Sequence, residues 1–204
     1  MGGMSRLTAI PMTLLLAVFA GLGSCTNEVS AERSPVLVGT VVHVVDGDTI
    51  KVQLTSGPIT VRLHSIDTPE HDQPWGREAT RALASRVQGR QVSLYVVAQD
   101  SYERLVADVL LGDESVNAWM VKQGDAWAYR HYLEDRKYCT WEGEARAARR
   151  GLWSEPPDTW RAPWQWRAAE RGEKVAYTDF SHATVAQCVA AMPAHPRSMP
   201  AHPP

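Results

Sequence analysis

Residues 36–66 read VLVGTVVHVVDGDTIKVQLTSGPITVRLHSI, and this stretch decides the fold. Its first run, residues 36–45, is rich in valine, a residue that favours strands. The tight-turn dipeptide Asp46-Gly47 follows, and residues 49–54 then alternate apolar and polar side chains. A serine-glycine-proline break leads to a third alternating run over residues 59–66. Three runs joined by such short connections predict an antiparallel meander.

The sequence after the meander predicts two more strands and three helices. Ala79, Leu83 and Val87 recur at helical spacing, and glycines at positions 124 and 151 are typical of helix ends. Helices are predicted over residues 77–87, 116–123 and 140–150, and strands over residues 91–97 and 105–111. Five strands with a helix between the third and fourth predict a small closed barrel, α+β in class and mainly β, with about three packed helices.

Length and composition limit how the chain is organised. With 204 residues, of which 44% are hydrophobic, it can bury one core, which we assign to residues 36–155. Residues 156–204 form an extension rich in tryptophan and proline, in which Trp160, Trp164 and Trp166 are expected to pack on the body and the end is expected to be disordered. The net charge of -2 excludes a broad basic surface, so any attraction for phosphate is local.

The first 24 residues are predicted to be a targeting segment. Arg6 supplies a positive charge, and the apolar run over residues 12–22 is too short to span a bilayer. The tetrapeptide Leu22-Gly23-Ser24-Cys25 resembles a bacterial lipobox, in which the cysteine is acylated, and ordinary secretory cleavage is the alternative. Residues 25–35 then form a linker. Both alternatives place the protein in the cell envelope or outside the cell, with a membrane as partner if Cys25 is acylated.

Two further cysteines leave two alternatives open. In an oxidising compartment Cys139 and Cys188 can form a disulfide that ties the C-terminal segment to the body. They can equally be unpaired thiols, with Cys139 packed in a helix.

The acidic residues near the predicted strand ends indicate a cation site. Asp48 and Asp67 converge on one ion if the first and third strands are neighbours. Oxygen ligands alone suit calcium or magnesium, whereas zinc prefers histidine or cysteine.

Two arginines and a glutamate complete the requirements for phosphodiester hydrolysis. Arg62 and Arg104 can neutralise the phosphate, and Glu70 can accept the proton of the attacking water. Taken alone, Arg104 is more often a surface ion pair with Asp100 or Glu103. Only the joint pattern favours catalysis.

The ordered motifs resemble those of the staphylococcal nuclease (thermonuclease) family. The match runs from residue 36 to residue 153 and rests on Val45-Asp46-Gly47-Asp48-Thr49-Ile50-Lys51-Val52, Val61-Arg62-Leu63, Ile66-Asp67-Thr68-Pro69-Glu70, Asp100, Tyr102 and Arg104, Val116-Asn117, Gly124-Asp125-Ala126-Trp127, Glu144-Ala145-Arg146 and Gly151-Leu152-Trp153. The resemblance implies an OB-fold barrel with three helices. It also implies calcium-dependent cleavage of DNA and RNA that leaves 3′-phosphate ends.

The same resemblance implies a role for each site residue. Asp48 and Asp67 would bind Ca²⁺ through carboxylates and Thr68 through its backbone carbonyl, with Asp46 behind them. Arg62 and Arg104 would hold the scissile phosphate, Glu70 would act as the general base or orient the water, and Tyr102 would contact the terminal phosphate.

Several positions depart from the family pattern. Glu103 stands where the family usually has glycine, and His71, Asp72 and Trp75 replace lysines of the archetype, so we expect a weaker grip on phosphate and strong salt sensitivity. We expect Trp75 and Tyr129 to be able to stack on bases, whereas Trp119 and Trp127 are expected in the core.

Three functional hypotheses follow. The leading one is a secreted or anchored calcium nuclease, expected to be a monomer, that degrades extracellular DNA and RNA. The alternatives are a noncatalytic OB-fold nucleic-acid-binding module and a structural envelope protein.

Overall fold

The computed structural model describes residue 2, residues 36–173 and residues 184–194. The chain separates into two units, Met1–Glu32 and Arg33–Pro204, and every helix and strand described belongs to the second. In this described part of the chain, no helix combines the length and the apolar character needed to cross a membrane. Apart from residue 2, the predicted targeting segment lies outside the described residues, as do the linker with Cys25 and the end of the chain that is expected to be disordered, from residue 195 onward.

A closed barrel of five strands forms the body, as predicted, and it has the OB-fold arrangement. Its strands are β1 (Val36–Val44), β2 (Thr49–Leu54), β3 (Gly57–Leu63), β5 (Gln91–Gln99) and β6 (Leu105–Leu111). They pair antiparallel in the order β3-β2-β1-β5-β6, and a parallel pairing of β3 with β6 closes the circle. Closure leaves no long sheet edge open for pairing with another chain.

Period-two alternation along the strands places the core inside the barrel. Ile50 and Val52 of β2 and Val61 and Leu63 of β3 are fully buried. Thr49 pairs with Arg62 in the β2–β3 register, so the arginine lies beside the turn that precedes β2. The same register that buries the apolar side chains therefore sets the position of a charged one.

Three short strands were not predicted as separate elements. They are β4 (Ile66–Asp67), β7 (Glu114–Ser115) and β8 (Trp127–Ala128). β4 pairs antiparallel with β8, so that Asp67 lies opposite Trp127. Two-residue strands carry no periodic signal, and this pair forms only because the barrel brings its two halves together.

The three predicted helices are present as α1 (Gly76–Val87), α2 (Val116–Gln123) and α3 (Lys137–Ala147). The Ser115 hydroxyl accepts a hydrogen bond from the Ala118 N–H at 3.1 Å and so caps α2. α3 was predicted over residues 140–150, and both of its ends lie three residues earlier. The helix ends at Ala147, not next to Gly151, the residue from which its end was predicted.

Asn117 holds α2 against the barrel. Its side chain is fully buried, its Oδ1 accepts from the Val109 N–H, and its Nδ2 donates to the carbonyls of His64 and Ala107. The His64 carbonyl belongs to the turn between β3 and β4, so one amide links the helix to the segment that leads to Asp67.

The C-terminal extension packs on the body through two further helices, α4 (Pro163–Glu170) and α5 (Val185–Ala190). Trp160 and Trp164 pack against a buried cluster that contains Trp127 and Trp153, which agrees with the predicted capping role of these two residues. Trp166 is half-buried and donates its indole N–H to Glu170.

Cys139 of α3 and Cys188 of α5 form a disulfide, so of the two alternatives left open by the sequence, the structure has the covalent bond. The two residues are separated by 49 positions, and both are almost fully buried. The bond fixes α5 to α3.

We expect the double variant Cys139→Ser and Cys188→Ser to lose stability. Opening a loop of this length raises the entropy of the unfolded chain, so the free energy of unfolding should fall by about 2–4 kcal/mol. Urea unfolding followed by tryptophan fluorescence measures the change, and wild-type protein kept in reductant should match the variant. Identical unfolding midpoints for oxidised wild type and variant would contradict a stabilising role.

Candidate active site

A cleft of about 550 Å³ opens at one end of the barrel. Nine of the residues that the sequence singled out line it: Asp46, Asp48, Arg62, Asp67, Thr68, Glu70, Tyr102, Arg104 and Tyr129. These residues come from the turn before β2, from β3 and β4, and from loops around the barrel mouth. The structure therefore brings together positions that are up to 83 residues apart in the chain.

Arg62 is the centre of the cleft. Its Nε lies 3.0 Å from Asp48 Oδ1, and its Nη2 lies 2.9 Å from Asp67 Oδ1. Its Nη1 donates to the Leu63 carbonyl at 2.7 Å, and the residue is 8% exposed. Burial alone would lower the pKa of Arg62, but the charges of Asp48 and Asp67 raise it above its ordinary value. The two carboxylates are thus held on one guanidinium.

The turn before β2 fixes the first carboxylate. Asp48 Oδ2 accepts from both the N–H and the hydroxyl of Thr68, each at 2.9 Å. The Asp48 N–H donates to Asp46 Oδ1 at 3.0 Å. A Cβ at Gly47 would lie 2.6 Å from the Thr68 hydroxyl oxygen, so only glycine allows this close approach.

The second carboxylate, Asp67, is positioned by the β4–β8 pair. β8 is held in turn by Glu142 of α3, whose Oε2 accepts from the Ala128 N–H at 2.8 Å. Glu142 also forms a buried bidentate pair with Arg130, at 2.5 and 2.6 Å. A buried ion pair in α3 therefore supports the strand that presents Asp67.

Four residues that line the cleft were not predicted, Tyr132, Arg167, Arg171 and Glu173, and of these Arg167 of α4 contacts the predicted carboxylates. Its Nη2 lies 2.8 Å from Asp67 Oδ2, and its Nη1 lies 3.2 Å from Asp67 Oδ1 and 2.5 Å from Glu70 Oε1. A weak signal was available, since Pro163 is typical of a helix start and Arg167 and Arg171 then share one helical face. Nothing in the sequence indicates that this face meets residues 97 and 100 positions earlier.

Arg104 and Tyr102 lie at the outer rim. Arg104 Nε donates to Asp100 Oδ2 at 2.7 Å, which is the ion pair considered from the sequence. Arg104 also lines the cleft, so the ion pair does not remove it from the site. Glu103 has φ 61°, a left-handed conformation that glycine adopts at least cost. A glycine, which the resemblance implies at this position, would meet the same backbone requirement at less cost.

Burial changes the pKa of two acidic groups in the cleft. Burial, followed by the charge of Asp48, raises the pKa of Asp46 to about 7. Burial also raises the pKa of Asp67, although Arg167 and Arg62 oppose the shift. Such shifts show where added positive charge would be favourable.

The donor set fits a hard cation. Within the described residues, no group of three or more histidine, cysteine, aspartate or glutamate side chains could hold a metal ion. A cation in this cleft would therefore need a backbone carbonyl besides Asp48 and Asp67, and Thr68 follows Asp67 directly and already contacts Asp48. Oxygen ligands of this kind suit calcium.

The four aromatic expectations have different outcomes. Tyr129 lines the cleft and stacks on Trp164, with ring centroids 5.3 Å apart and planes 13° apart. Burial raises the pKa of Tyr129, so its hydroxyl stays protonated. Trp75 was expected as a base-stacking candidate, but it lies outside the cleft lining, packs on the tryptophan cluster and donates to Asp125 at 2.8 Å. Trp127 is fully buried and Trp119 packs against the barrel core, as expected.

Comparison with known proteins assigns the family. Residues 60–155 match the family model described as staphylococcal nuclease homologue. A protein from Escherichia coli named as an uncharacterized endonuclease is 39% identical over 130 residues, which cover 63% of this chain and 84% of that protein. A protein of the same name from Haemophilus influenzae is 37% identical over 164 residues, or 79% and 86% of the two chains.

A plant protein shares a smaller part of its length. The probable staphylococcal-like nuclease CAN1 of Oryza sativa subsp. japonica is 38% identical over 111 residues, which cover 54% of this chain and 33% of that protein. Given the family match and the two bacterial relatives, most of whose length is covered, this chain belongs to the staphylococcal nuclease homologue family, a family of nucleases.

Proposed function

We propose that this chain is a calcium-dependent nuclease that hydrolyses phosphodiester bonds of DNA and RNA and leaves 3′-phosphate ends. The observation that carries the proposal is that Asp48 and Asp67 both form ion pairs with the buried Arg62. Glu70 and Arg104 line the same cleft. A binding module or a structural protein has no need for two buried carboxylates that face a cleft.

Arg62 is suited to hold a phosphate. Two hydrogen bonds, to the Leu63 carbonyl and to Asp67, and an ion-pair contact with Asp48 fix the guanidinium. An arginine has five N–H donors, so donors remain for phosphate oxygens. A guanidinium that is already oriented loses little entropy when it neutralises the charge that develops in the transition state. Arg104, anchored through Nε on Asp100, offers further donors from the rim.

Glu70 is suited to handle the proton. It lines the cleft, and its side chain is 38% exposed, which allows contact with a water molecule. When that water attacks phosphorus, Glu70 takes one of its protons, the bond from phosphorus to the 5′ oxygen breaks, and the leaving 5′ oxygen takes a proton from solvent water. Calcium bound by Asp48, Asp67 and the Thr68 carbonyl would polarise a phosphate oxygen and stabilise its charge.

The envelope or secreted location and the acylation of Cys25 are part of the same proposal. The disulfide between Cys139 and Cys188 supports an oxidising compartment, because thiols in the cytosol are kept reduced. Mass spectrometry of the mature N-terminus distinguishes acylated Cys25 from ordinary cleavage. We further propose that the enzyme acts as a monomer, which light scattering of the purified protein tests.

We expect Arg62→Ala and Glu70→Gln to abolish most of the cleavage of denatured DNA in calcium. Loss of a charge-stabilising donor lowers kcat/KM by about 10²–10³, and loss of a general base lowers it by about 10²–10⁴. A discontinuous assay with end-labelled oligonucleotides measures the rates and identifies the 3′-phosphate. EDTA should stop the wild-type reaction.

The same two kinds of substitution, arginine to alanine and glutamate to glutamine, serve as controls when they are made at the surface. Arg81 and Glu78 form an exposed pair on α1, away from the cleft, so Arg81→Ala and Glu78→Gln should keep wild-type rates. Arg62→Ala leaves two buried carboxylates without their partner, so folding is checked by circular dichroism, and Glu70→Gln tests the mechanism at a more exposed position. Undiminished cleavage by folded Glu70→Gln, or binding of DNA without cleavage by wild type, overturns the proposal.

Salt dependence tests the local character of the phosphate contacts. If Arg62 and Arg104 make the main contacts, the slope of log KM against log salt is about 1.4 for single strands, so KM rises roughly sevenfold from about 50 to about 200 mM. Arg104→Gln should lower the slope by about 0.7. A KM that does not change with ionic strength contradicts this assignment.

A further inference from the structure

A third guanidinium reaches the cleft from outside the barrel. Arg167 of α4 contacts both carboxylate oxygens of Asp67 and also Glu70 Oε1. Its neighbour on the same helical face, Arg171, lines the cleft as well but pairs with Glu173 at 2.6 Å. Only Arg167, of these two, touches the carboxylates assigned to metal binding and catalysis.

Arg167 lies on a helix, α4, that packs against the body of the protein. Trp164, one turn earlier in α4, stacks on Tyr129 and contacts Trp127 edge to face, with ring centroids 5.9 Å apart. Ala162 and Gln165 are buried, and the Gln73 side chain donates to the Arg161 carbonyl just before the helix. These contacts hold the start of α4 against the body, so the position of the guanidinium is set by the fold.

The guanidinium uses the oxygen atoms that a cation needs. The Asp67 side chain is 2% exposed, and its Oδ2 accepts from Arg167 Nη2 while its Oδ1 is shared between Arg62 and Arg167. A divalent ion at Asp67 would therefore lie within a few ångströms of the Arg167 charge. At such a separation like charges repel strongly, and the repulsion is weakly screened in a partly buried cleft.

We propose that Arg167 is an internal cation that competes with the divalent ion for Asp67 and Glu70, so that helix α4 sets the metal affinity of the site. In the absence of metal, Arg167 neutralises the buried carboxylate. When metal binds, it replaces the guanidinium on Asp67. This inference rests on the proposed calcium dependence and adds a residue of the C-terminal extension to the site.

Two linked effects follow when Arg167 becomes a neutral glutamine. The metal-free protein loses stability, because Asp67 keeps its burial but loses one of its partners. Calcium affinity rises, because the ion no longer displaces a guanidinium or faces its charge. Both effects have one cause, so saturating calcium should remove the difference in stability between variant and wild type.

Calorimetric titration of calcium into the metal-free full-length protein tests the proposal without any substrate. Arg167→Gln should bind calcium about tenfold more tightly than wild type, and Arg167→Lys should fall between them, because lysine keeps the charge but loses the forked contact. Arg171→Gln removes the same charge from the same helical face and should stay within about twofold of wild type.

Thermal unfolding in EDTA and in saturating calcium provides a second readout. Arg167→Gln should unfold at a lower temperature than wild type in EDTA and at nearly the same temperature in calcium. Calcium affinity equal to or weaker than wild type in folded Arg167→Gln, or an equal gain in Arg171→Gln, overturns the competition. Absence of calcium binding in every protein overturns the calcium dependence itself, and the competition with it.

Discussion

The site depends on one buried arrangement, in which Asp48 and Asp67 share the guanidinium of Arg62. Charges removed from water are tolerated only when every group has partners, and here the partners are arranged by backbone pairing. The β2–β3 register places Arg62 beside the turn that carries Asp48, and the β4–β8 pair places Asp67. The barrel is therefore more than a scaffold for the cleft, because its hydrogen-bond register decides which charges meet.

Buried polar contacts also hold the segments that surround the Asp48–Arg62–Asp67 ion pairs. Glu142 and Arg130 hold β8, Asn117 holds the turn before β4, and both depend on helices packed on the barrel. In a protein with a net charge of -2, the phosphate affinity that we propose would come from a few oriented guanidiniums rather than from bulk charge. The cleft is lined by four arginines, Arg62, Arg104, Arg167 and Arg171, and by six acidic side chains, Asp46, Asp48, Asp67, Glu70, Asp100 and Glu173.

The sequence predicted the parts of the molecule whose signals are local. The strands at 49–54 and 105–111 and the helix at 116–123 were predicted with the bounds that the structure has. The joint motif also brought Asp48, Arg62, Asp67, Glu70 and Arg104 into one hypothesis that the cleft accommodates. What escaped prediction depends on distant parts of the chain: the two-residue pair of β4 and β8, the packing of Trp75 on the tryptophan cluster, and above all Arg167. Arg167 and Asp67 are 100 positions apart, and the spacing of residues within a helix or strand does not indicate a contact at that separation.

The bond between Cys139 and Cys188 has a practical consequence for anyone who prepares this protein. A reducing bacterial cytosol would yield a molecule whose last described helix is attached by noncovalent packing alone. Export to an oxidising periplasm, or refolding in a glutathione buffer, would restore the cross-link. Batches made by the two routes are chemically different species, and values measured on one do not transfer to the other.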